Sequence, residues 1–233
     1  MTTHQSLALG FFIAIGLVVC VCGERFEVTS AQQLIKLLNI SEANNFDANI
    51  VLLDDLDFSD SALTLPFGVS SDGSCVSYTG VFEGNGHTIK GLVMNNEDSQ
   101  GYHNAGLFCG LENAIFENLV IDSSCSFTGY SAGALSVSLT SSLTATNVTN
   151  KAEINGDDGG GFIGFIDRLD QRTEVTFKDC VNDGNGTGLG MYGGFVGRVE
   201  DNEDLTMTFS DCTVLCKIIL TFLPIISHPP LFV

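Results

Sequence analysis

Carboxylate side chains are the residues best suited to chemistry in this chain. They occur in four short groups: Asp54, Asp55 and Asp57; Asp157 and Asp158; Asp167 and Asp170; and Glu200, Asp201, Glu203 and Asp204. Grouped carboxylates can bind calcium, and polysaccharide lyases and hydrolases use them beside a basic residue or as a spaced acid pair. Arg168 makes the group at Asp167 and Asp170 the most site-like of the four. We favour a solvated acidic surface, because most groups flank turns and do not recur in one strand column.

The overall charge limits the kinds of partner. The chain has 28 acidic side chains against 9 basic ones, which gives a net charge of −19. Such a field repels nucleic acid and anionic lipid and favours cations or basic surfaces. The sequence therefore predicts no nucleic-acid partner.

No cofactor is predicted from the motifs. A zinc site is not indicated, because Cys-x-x-Cys pairs are absent and the histidines are scattered at His4, His87, His103 and His228. The glycine-rich stretches 84–86 and 157–161 lack the Lys-Ser or Lys-Thr of a phosphate-binding loop. Weak calcium binding at an acidic turn stays an alternative, although the calcium-binding nonapeptide Gly-Gly-x-Gly-x-Asp is also absent.

Residues 1–23 resemble a secretory signal peptide. An apolar run from Leu7 to Cys22 ends in small residues, and cleavage is expected after Gly23. An uncleaved signal anchor is the alternative, since no Lys or Arg precedes the apolar run. In both cases the remainder is exported, so we predict a secreted or cell-surface protein.

Cysteine usage fits export. Without Cys20 and Cys22 the chain keeps an even number of cysteines: Cys75, Cys109, Cys125, Cys180, Cys212 and Cys216. An even number in an exported chain predicts disulfide bonds, but the sequence leaves their connectivity open.

Three N-glycosylation sequons begin at Asn39, Asn147 and Asn185. In an exported eukaryotic chain Asn185 is the best acceptor, because glycines surround it, whereas Asn39 lies at the end of an expected helix. In a bacterium these sequons would have no meaning.

Two short phrases recur along the chain. The clearest copy of the first is Gly-Gly-Phe-Val-Gly at residues 193–197. Less well preserved copies begin at Gly80, Gly106, Gly133 and Gly161. The second phrase lies between these copies and carries a column of glycine or polar residues at Gly91, Asn118, Asn147, Asp179 and Asp211. Two phrases that keep step over successive units indicate a repeat array.

The repeat predicts the fold class. A unit of this size cannot bury its own apolar face, so neighbouring units must stack with their strands parallel. We predict an all-β protein, a right-handed parallel β-helix (solenoid) over residues 49–216, with Gly106, Gly133, Gly161 and Gly194 in one line. A β-sandwich or propeller of antiparallel hairpins is the alternative, but regularly placed Asn-Gly hairpin turns are missing.

An amphipathic helix is expected ahead of the repeats. Thr29 or Ser30 can cap it, and its apolar positions lie on one face: Leu34, Ile35, Leu37 and Leu38. We expect residues 24–48 to form an N-terminal cap whose helix covers the open end of the stack.

The repeats resemble a known family. Residues 82–89 (Phe-Glu-Gly-Asn-Gly-His-Thr-Ile), the Gly-Leu-Phe at 106–108 and the two Gly-Gly-Phe-aliphatic-Gly phrases look like GLUG-type repeat proteins. The resemblance covers roughly residues 49–216 and implies a right-handed parallel β-helix surface protein with an adhesin-like role. GLUG repeats also accompany metallopeptidases, but a His-Glu-x-x-His signature is absent here, so that catalytic part is not carried over.

Residues 217–233 depart from the repeat, since they are mostly apolar and contain no glycine. We interpret them as an atypical apolar tail, of the kind that a truncated or misread end would give. A transmembrane or lipid-anchor signal is the alternative, so membrane attachment through this tail or through an uncleaved signal stays open.

Two functions fit these patterns. The first is a non-enzymatic, adhesin-like module whose long β-face binds an extracellular glycan or protein ligand. The second is a polysaccharide lyase or glycoside hydrolase of β-helix type, which would require an exposed carboxylate pair beside an arginine on one face. We favour binding, because no convergent catalytic set is visible in the sequence.

Cys180 and Cys212 occupy the same position in adjacent units, directly after Asp179 and Asp211. Parallel strands about 4.8 Å apart place such residues within the usual Cα separation of a disulfide. We predict a Cys180–Cys212 disulfide that joins the last unit to the one before it. An unbonded ladder of two small side chains, or pairing with Cys216, is the alternative.

Overall fold

The computed structural model describes residues 24–39, 46–96, 103–167, 172–188, 191–200, 204–215 and 218–220. Their elements, in chain order, are β1 (Arg25–Val28), α1 (Ala31–Leu37), β2 (Asn49–Leu52), β3 (Leu56–Asp57), β4 (Ser77–Tyr78), β5 (Val81–Glu83), β6 (Thr88–Lys90), β7 (Val93–Asn95), β8 (Ala105–Leu111), β9 (Ala114–Ile121), β10 (Ser126–Thr128), β11 (Ser131–Leu139), β12 (Leu143–Asn150), β13 (Glu153–Asn155), β14 (Asp158–Gly160), β15 (Ile163–Ile166), β16 (Thr173–Lys178), β17 (Val181–Asn182), β18 (Gly186–Gly188), β19 (Met191–Gly193), β20 (Val196–Val199), β21 (Leu205–Ser210), β22 (Thr213–Val214) and β23 (Ile218–Leu220).

The strands stack coil upon coil in three parallel sheets. Sheet 1 runs in the order β1-β2-β5-β9-β12-β16-β21, with β3, β6, β17 and β22 beside this path. Sheet 2 runs β23-β18-β13-β10-β7, and sheet 3 runs β19-β14-β11-β15-β20, with β8 and β4 following from β11. Pairing between successive coils is parallel, as between β9 and β12 or between β10 and β13. The predicted parallel β-helix is therefore confirmed.

The predicted helix is also present, as α1. Ser30 is its N-cap, and the Ser30 Oγ accepts a hydrogen bond from the Gln33 backbone N–H at 3.3 Å. Ala31 and Leu34 are buried against the core at the N-terminal end of the stack. β1 already pairs in parallel with β2, so the first rung lies inside the segment that was expected to be only a cap.

The inward face of sheet 1 carries the main apolar column. Phe82, Phe116, Ala145, Phe177 and Phe209 are paired in register from coil to coil. The second phrase is thus correctly aligned from Phe116 onward. Its proposed first copy, at residues 89–93, was misaligned: Phe82 fills that place, while Ile89 pairs with Ile121 further along the sheet.

The predicted line of glycines needs a one-residue correction. Gly133 pairs with Gly106 and with Gly160, and Gly160 pairs with Gly193, so Gly161 and Gly194 lie one position beyond the line. A β-bulge between Gly133 and Ser136 adds a residue to β11 relative to β8, so the register between these two strands also changes along their length. No such shift occurs where β11 pairs with β14 and β15. Gly80 does not belong to this line, since it directly precedes β5 of sheet 1.

The glycines stand at a sharp corner in sheet 3. A Cβ at Gly160 would lie 1.9 Å from the carbonyl oxygen of Ile163, three residues later in the same corner. The chain therefore turns so tightly that only hydrogen fits at this position. The turn lets β14 and β15 pair with two parts of the same strand, β11.

The polar column of the second phrase has a conformational basis. Asn118, Asn147, Asp179 and Asp211 all adopt left-handed backbone conformations, with φ between 50° and 53°. Asn and Asp tolerate this region better than other residues with a Cβ. Gly91 does not belong to this column, since its N–H bonds to the Ser124 Oγ in a later turn.

The C-terminal end of the described stack is more open than the N-terminal end. Phe177 is fully buried, whereas Phe209, its neighbour in the last rung of sheet 1, is 48% exposed. The predicted signal peptide and, apart from β23, the predicted apolar tail lie outside the described residues. The part of the chain that is described contains no helix with the length and apolar character of a membrane span.

Candidate functional site

Most of the predicted acidic groups serve local turns. Asp55 Oδ1 accepts a hydrogen bond from the Thr88 N–H at 3.0 Å and contacts the His87 ring at 3.4 Å. Asp57 Oδ1 accepts a hydrogen bond from the Ser59 N–H. Hydrogen bonds from the Ser59 backbone and side chain lower the pKa of the Asp57 carboxyl. Of the predicted group at Asp167, Arg168 and Asp170, only Asp167 is among the described residues. Asp201 and Glu203 also lie outside them.

Two of the other acidic groups converge on one arginine. Arg198 Nη1 lies 2.9 Å from Asp158 Oδ2, and its Nη2 bonds to Glu200 Oε1. The Asp158 side chain is only 7% exposed, against 30% for Arg198 and 41% for Glu200. The structure therefore supplies a carboxylate pair beside an arginine, from groups that the sequence could not join.

The sheet 3 corner brings these side chains together. Asp158 opens β14 and Arg198 lies in β20, on the two sides of the corner and one coil apart. Gly197 permits the approach, since a Cβ there would lie 2.6 Å from the backbone carbonyl of Gly159. The glycine phrase thus builds the cluster as well as the turn.

Burial sets the electrostatics of the cluster. Loss of solvent raises the pKa of the Asp158 carboxyl, while Arg198 pulls in the opposite direction and Asp157 and Glu200 add to the rise. The pKa of Arg198 is raised by its hydrogen bond to Glu200 and by the charge of Asp158. A buried carboxylate of this kind depends on its cation, because an unpaired buried charge is strongly destabilising.

An exposed aromatic ring lies next to the cluster. Tyr130 is 55% exposed. The pKa of Arg198, raised mainly by Glu200 and Asp158, also receives a small upward contribution from Tyr130. Its backbone carbonyl accepts a hydrogen bond from the Asp158 N–H at 3.0 Å, which fixes the two residues in adjacent coils. We name Tyr130, Asp158, Arg198 and Glu200 together the Tyr130 patch. Sequence reasoning passed over Tyr130, because its partners come from other coils.

A second carboxyl pair on sheet 1 was not predicted. Glu83 and Glu117 are register partners on neighbouring strands. Asn118 Nδ2 donates to Glu83 Oε1 at 3.1 Å, and Asn147 Nδ2 donates to Asn118 Oδ1 at 2.8 Å, so the pair continues into an amide ladder. Burial, the charge of Glu83 and a hydrogen bond to Glu83 raise the pKa of Glu117. Alignment of Phe82 with Phe116 would have revealed this pair.

We expect Glu117→Gln to stabilise the protein at pH 7 by about 0.5 kcal/mol, because like charges directly opposite each other on paired strands are destabilising. A raised carboxyl pKa means that the folded state holds the proton more tightly, so stability falls as pH rises through the titration of Glu117. The stability gain of Glu117→Gln should therefore vanish as the pH falls into the range in which an ordinary glutamate is protonated. Urea unfolding between pH 3.5 and 8 measures it. Glu112→Gln, at an exposed turn, is the control, and an equal gain there would contradict the pairing.

The cysteines are only partly as predicted. Cys75 and Cys109 form a disulfide, with a Cα separation of 5.8 Å. The registers of β16 with β21 and of β17 with β22 confirm that Cys180 and Cys212 are neighbours, but both are free thiols. Each Sγ donates to a carbonyl of a preceding coil, and burial raises the pKa of Cys180 to about 11. Because disulfide exchange requires the thiolate, this burial opposes bond formation, and oxidation of the pair stays a prediction.

No metal site emerges from the described ranges: they contain no group of three or more His, Cys, Asp or Glu side chains that could hold an ion. Weak calcium binding at an acidic turn therefore stays an untested alternative.

The fold and its contacts define the molecule as a parallel β-solenoid protein. No family model matches the chain, and no curated protein matches it. Among solved structures it is similar to a candidate immunoglobulin A1 protease from Bacteroides ovatus, with a TM-score of 0.49 and 16% sequence identity. That match covers 83% of this chain and 67% of the other chain. A likeness this weak carries no information about activity.

Proposed function

We propose that the protein is a secreted or cell-surface β-solenoid of GLUG-repeat type, with an adhesin-like and non-enzymatic role, which binds a glycan at the Tyr130 patch. The observation that carries the proposal is exposed Tyr130, whose backbone carbonyl bonds to the N–H of Asp158, the residue that pairs with Arg198. An aromatic ring offers an apolar face to the C–H side of a sugar, while guanidinium and carboxylate groups bond its hydroxyls.

The arrangement of the patch suits binding. Arg198 is held by Asp158 and by Glu200, so its orientation is set before a ligand arrives. Such preorganisation reduces the entropy lost on binding. The net charge of −19 disfavours anionic polysaccharides, so the ligand class is a neutral or amino-sugar glycan.

The enzyme alternative rests on a specific observation, the raised pKa of buried Asp158 beside Glu200. A general acid must be free to give its proton to the leaving group. Both carboxylates instead bond to Arg198, which stabilises their ionised forms and favours binding over hydrolysis.

We expect the purified protein to retain a neutral or amino-sugar glycan on an oligosaccharide array, and Tyr130→Ala to weaken that binding about tenfold or more, as loss of a central aromatic anchor does. Titration calorimetry with the retained glycan measures the change. Val93→Ala, which removes an equally exposed apolar side chain from sheet 2, should bind normally. Unchanged binding by Tyr130→Ala would place the ligand elsewhere.

The same preparations separate binding from catalysis. The wild-type protein should release no reducing ends or unsaturated sugars from the retained glycan. If it does, and Asp158→Asn abolishes the release, the protein is an enzyme and the non-enzymatic proposal is wrong. No retained glycan on the array would remove the proposal altogether.

A further inference from the structure

The last rungs of the solenoid expose side chains at positions that belong to the core. Each of these positions is paired in register with a residue of the preceding coil that is completely buried. The side chains on the last rungs are instead 37% to 48% exposed, because the described residues place no coil beyond them. We name these four residues the end face: Val199 next to Ile166, Met207 next to Val175, Phe209 next to Phe177, and Val214 next to Asn182.

The strands that carry the end face also present unpaired edges within the described part of the chain. β20 is the last strand of sheet 3, β21 ends the main path of sheet 1, and β22 pairs only with β17. β21 contains no charged residue, although charge is a common device that keeps other segments off an edge. The terminal units of a repeat array need a cover. An uncharged edge beside an apolar end face therefore suits a covering segment.

The opposite end of the solenoid shows how this protein covers its core. α1 follows β1, the first strand of sheet 1, and it buries Ala31 and Leu34 against the core. The cover is thus a short segment adjacent in sequence to the terminal rung. α1 also occupies the surface that a second copy would need for head-to-tail stacking on the end face, which disfavours an open chain of copies.

Residues 221–233 hold the equivalent place in the sequence at the C-terminal end. They follow β23 directly, and β23 is the last strand of sheet 2. They include no Asp, Glu, Lys or Arg, and seven of the 13 side chains are aliphatic or aromatic, which matches an apolar end face on a chain of net charge −19. Fully extended, such a segment spans about 40 Å, whereas β21 is about 20 Å long. The segment is therefore long enough to cross the end face.

Prolines suit this segment to cover an edge. β19 begins five residues after β18 begins, from residue 186 to residue 191, so the equivalent position after the start of β23 is Leu223. Pro224 comes next, and Pro229 and Pro230 follow. Proline cannot donate to a ladder and is confined to the edges of sheets. The segment is therefore suited to end the stack and unsuited to the interior of a sheet.

We propose that residues 221–233 fold across the end face and form the C-terminal cap of the solenoid. Their apolar side chains take the place of a further coil above Met207 and Phe209, while the prolines end the ladder. Such a cover pairs less regularly than a complete coil, so Phe209 stays less tightly packed than Phe177. The cap is intramolecular, which distinguishes it from a membrane anchor. It does not involve the Tyr130 patch, so its test is independent of glycan binding.

Methionine oxidation tests the cap, because Met207 lies in the end face and Met94 is buried in the core. Dilute hydrogen peroxide transfers an oxygen atom to an accessible thioether, which becomes a sulfoxide while the peroxide becomes water. In the full chain we expect Met207 to react at least about tenfold more slowly than in a short peptide of the same sequence, since the cap must first open. Peptide mass spectrometry after timed exposure measures both methionines.

Two variants link the protection of Met207 to the segment. One replaces four of its apolar residues: Phe222→Ser, Leu223→Ser, Ile225→Ser and Ile226→Ser. The matched control replaces polar residues of the same segment: Thr221→Ala, Ser227→Ala and His228→Ala. We expect the serine variant to expose Met207 while Met94 stays unreactive, and the control to keep Met207 protected. If the serine variant does not fold, Met94 reacts as well, and the wild-type rate then decides: protection supports the cap and peptide-like reactivity overturns it.

Three other results would overturn the cap. Equal protection of Met207 in the folded serine variant would show that something else covers the end face. Protection that rises with protein concentration would assign the end face to a second copy. Sedimentation of the wild-type chain with phosphatidylcholine vesicles, abolished by the serine substitutions, would make the segment a membrane anchor.

Discussion

Gly160→Ala is expected to destabilise the protein by more than about 3 kcal/mol, the upper range for forcing extra atoms into a packed interior. The new Cβ would lie 1.9 Å from the Ile163 carbonyl oxygen and 2.5 Å from the Gly197 backbone nitrogen. Neither atom can retreat easily, because Ile163 is fully buried and paired on both sides, with Ser136 and with Val196. The corner must therefore open, and the coils above and below it must shift.

The measurement is urea unfolding followed by far-ultraviolet circular dichroism. Gly73→Ala is the control, since a Cβ there meets nothing within 4 Å and only the positive φ of 80° opposes it. That backbone strain costs about 1 kcal/mol. Recovery of Gly160→Ala only as insoluble protein, beside soluble Gly73→Ala, is the stronger form of the same result. Equal stability of the two variants would show that the corner is not closely packed.

The Gly160 variant also bears on the candidate site. Asp158 and Arg198 meet only because the chain turns sharply at this corner. A variant that folds with an open corner should lose the ion pair and, with it, the geometry of the Tyr130 patch. Stability and glycan binding should therefore fall together in Gly160→Ala, whereas Tyr130→Ala should affect binding alone.

The stacking of coils was predictable because the repeats carry two physical signals. Inward positions such as Phe116 and Phe177 must be apolar in each coil, and turn positions such as Asn147 and Asp179 must tolerate a left-handed backbone. Both requirements restrict the residue type strongly, so both can be recognised as repeated patterns in the sequence. From Phe116 onward the alignment based on them is correct.

The register of the glycines was harder to predict because the phrase offers two adjacent glycines. Either Gly160 or Gly161 could match Gly133, and the residue types do not show that Gly160 is the partner. The bulge that shifts β11 against β8 leaves no mark in residue type either. In the first coils the alignment was wrong because Ile89 was matched with Phe116, whereas Phe82 pairs with Phe116 and Ile89 pairs with Ile121.

The candidate site depends on this unreadable register. Arg198 and Asp158 belong to different coils, and only the corner in sheet 3 makes them neighbours. The disulfide between Cys75 and Cys109 likewise joins an irregular loop to a regular strand. Both pairings depend on the geometry of turns and loops. The repeat pattern of the sequence indicates mainly where the strands lie, so neither pairing could be predicted from it.

Phe177→Ala is expected to destabilise the protein by about 3 to 5 kcal/mol, the usual loss for removing a fully buried phenylalanine. The Phe177 ring is completely buried and packs against three others, with centroid distances of 5.6 Å to Phe162, 5.0 Å to Phe195 and 5.5 Å to Phe209. Its removal would leave a cavity between two coils that the flanking strands, paired along their length, cannot close.

Phe209→Ala is the matched control, because Phe209 is the next residue in the same column and stacks on Phe177. Because Phe209 is 48% exposed, its replacement by alanine should lower the free energy of unfolding by only about 1 kcal/mol, roughly half of the value for burying such a side chain. Urea unfolding of both variants measures the difference, and loss at Phe209 should appear as fraying of the last coil before the main transition. An equal loss in the two variants would contradict the open end, because Phe209 would then have to be covered in solution as fully as Phe177.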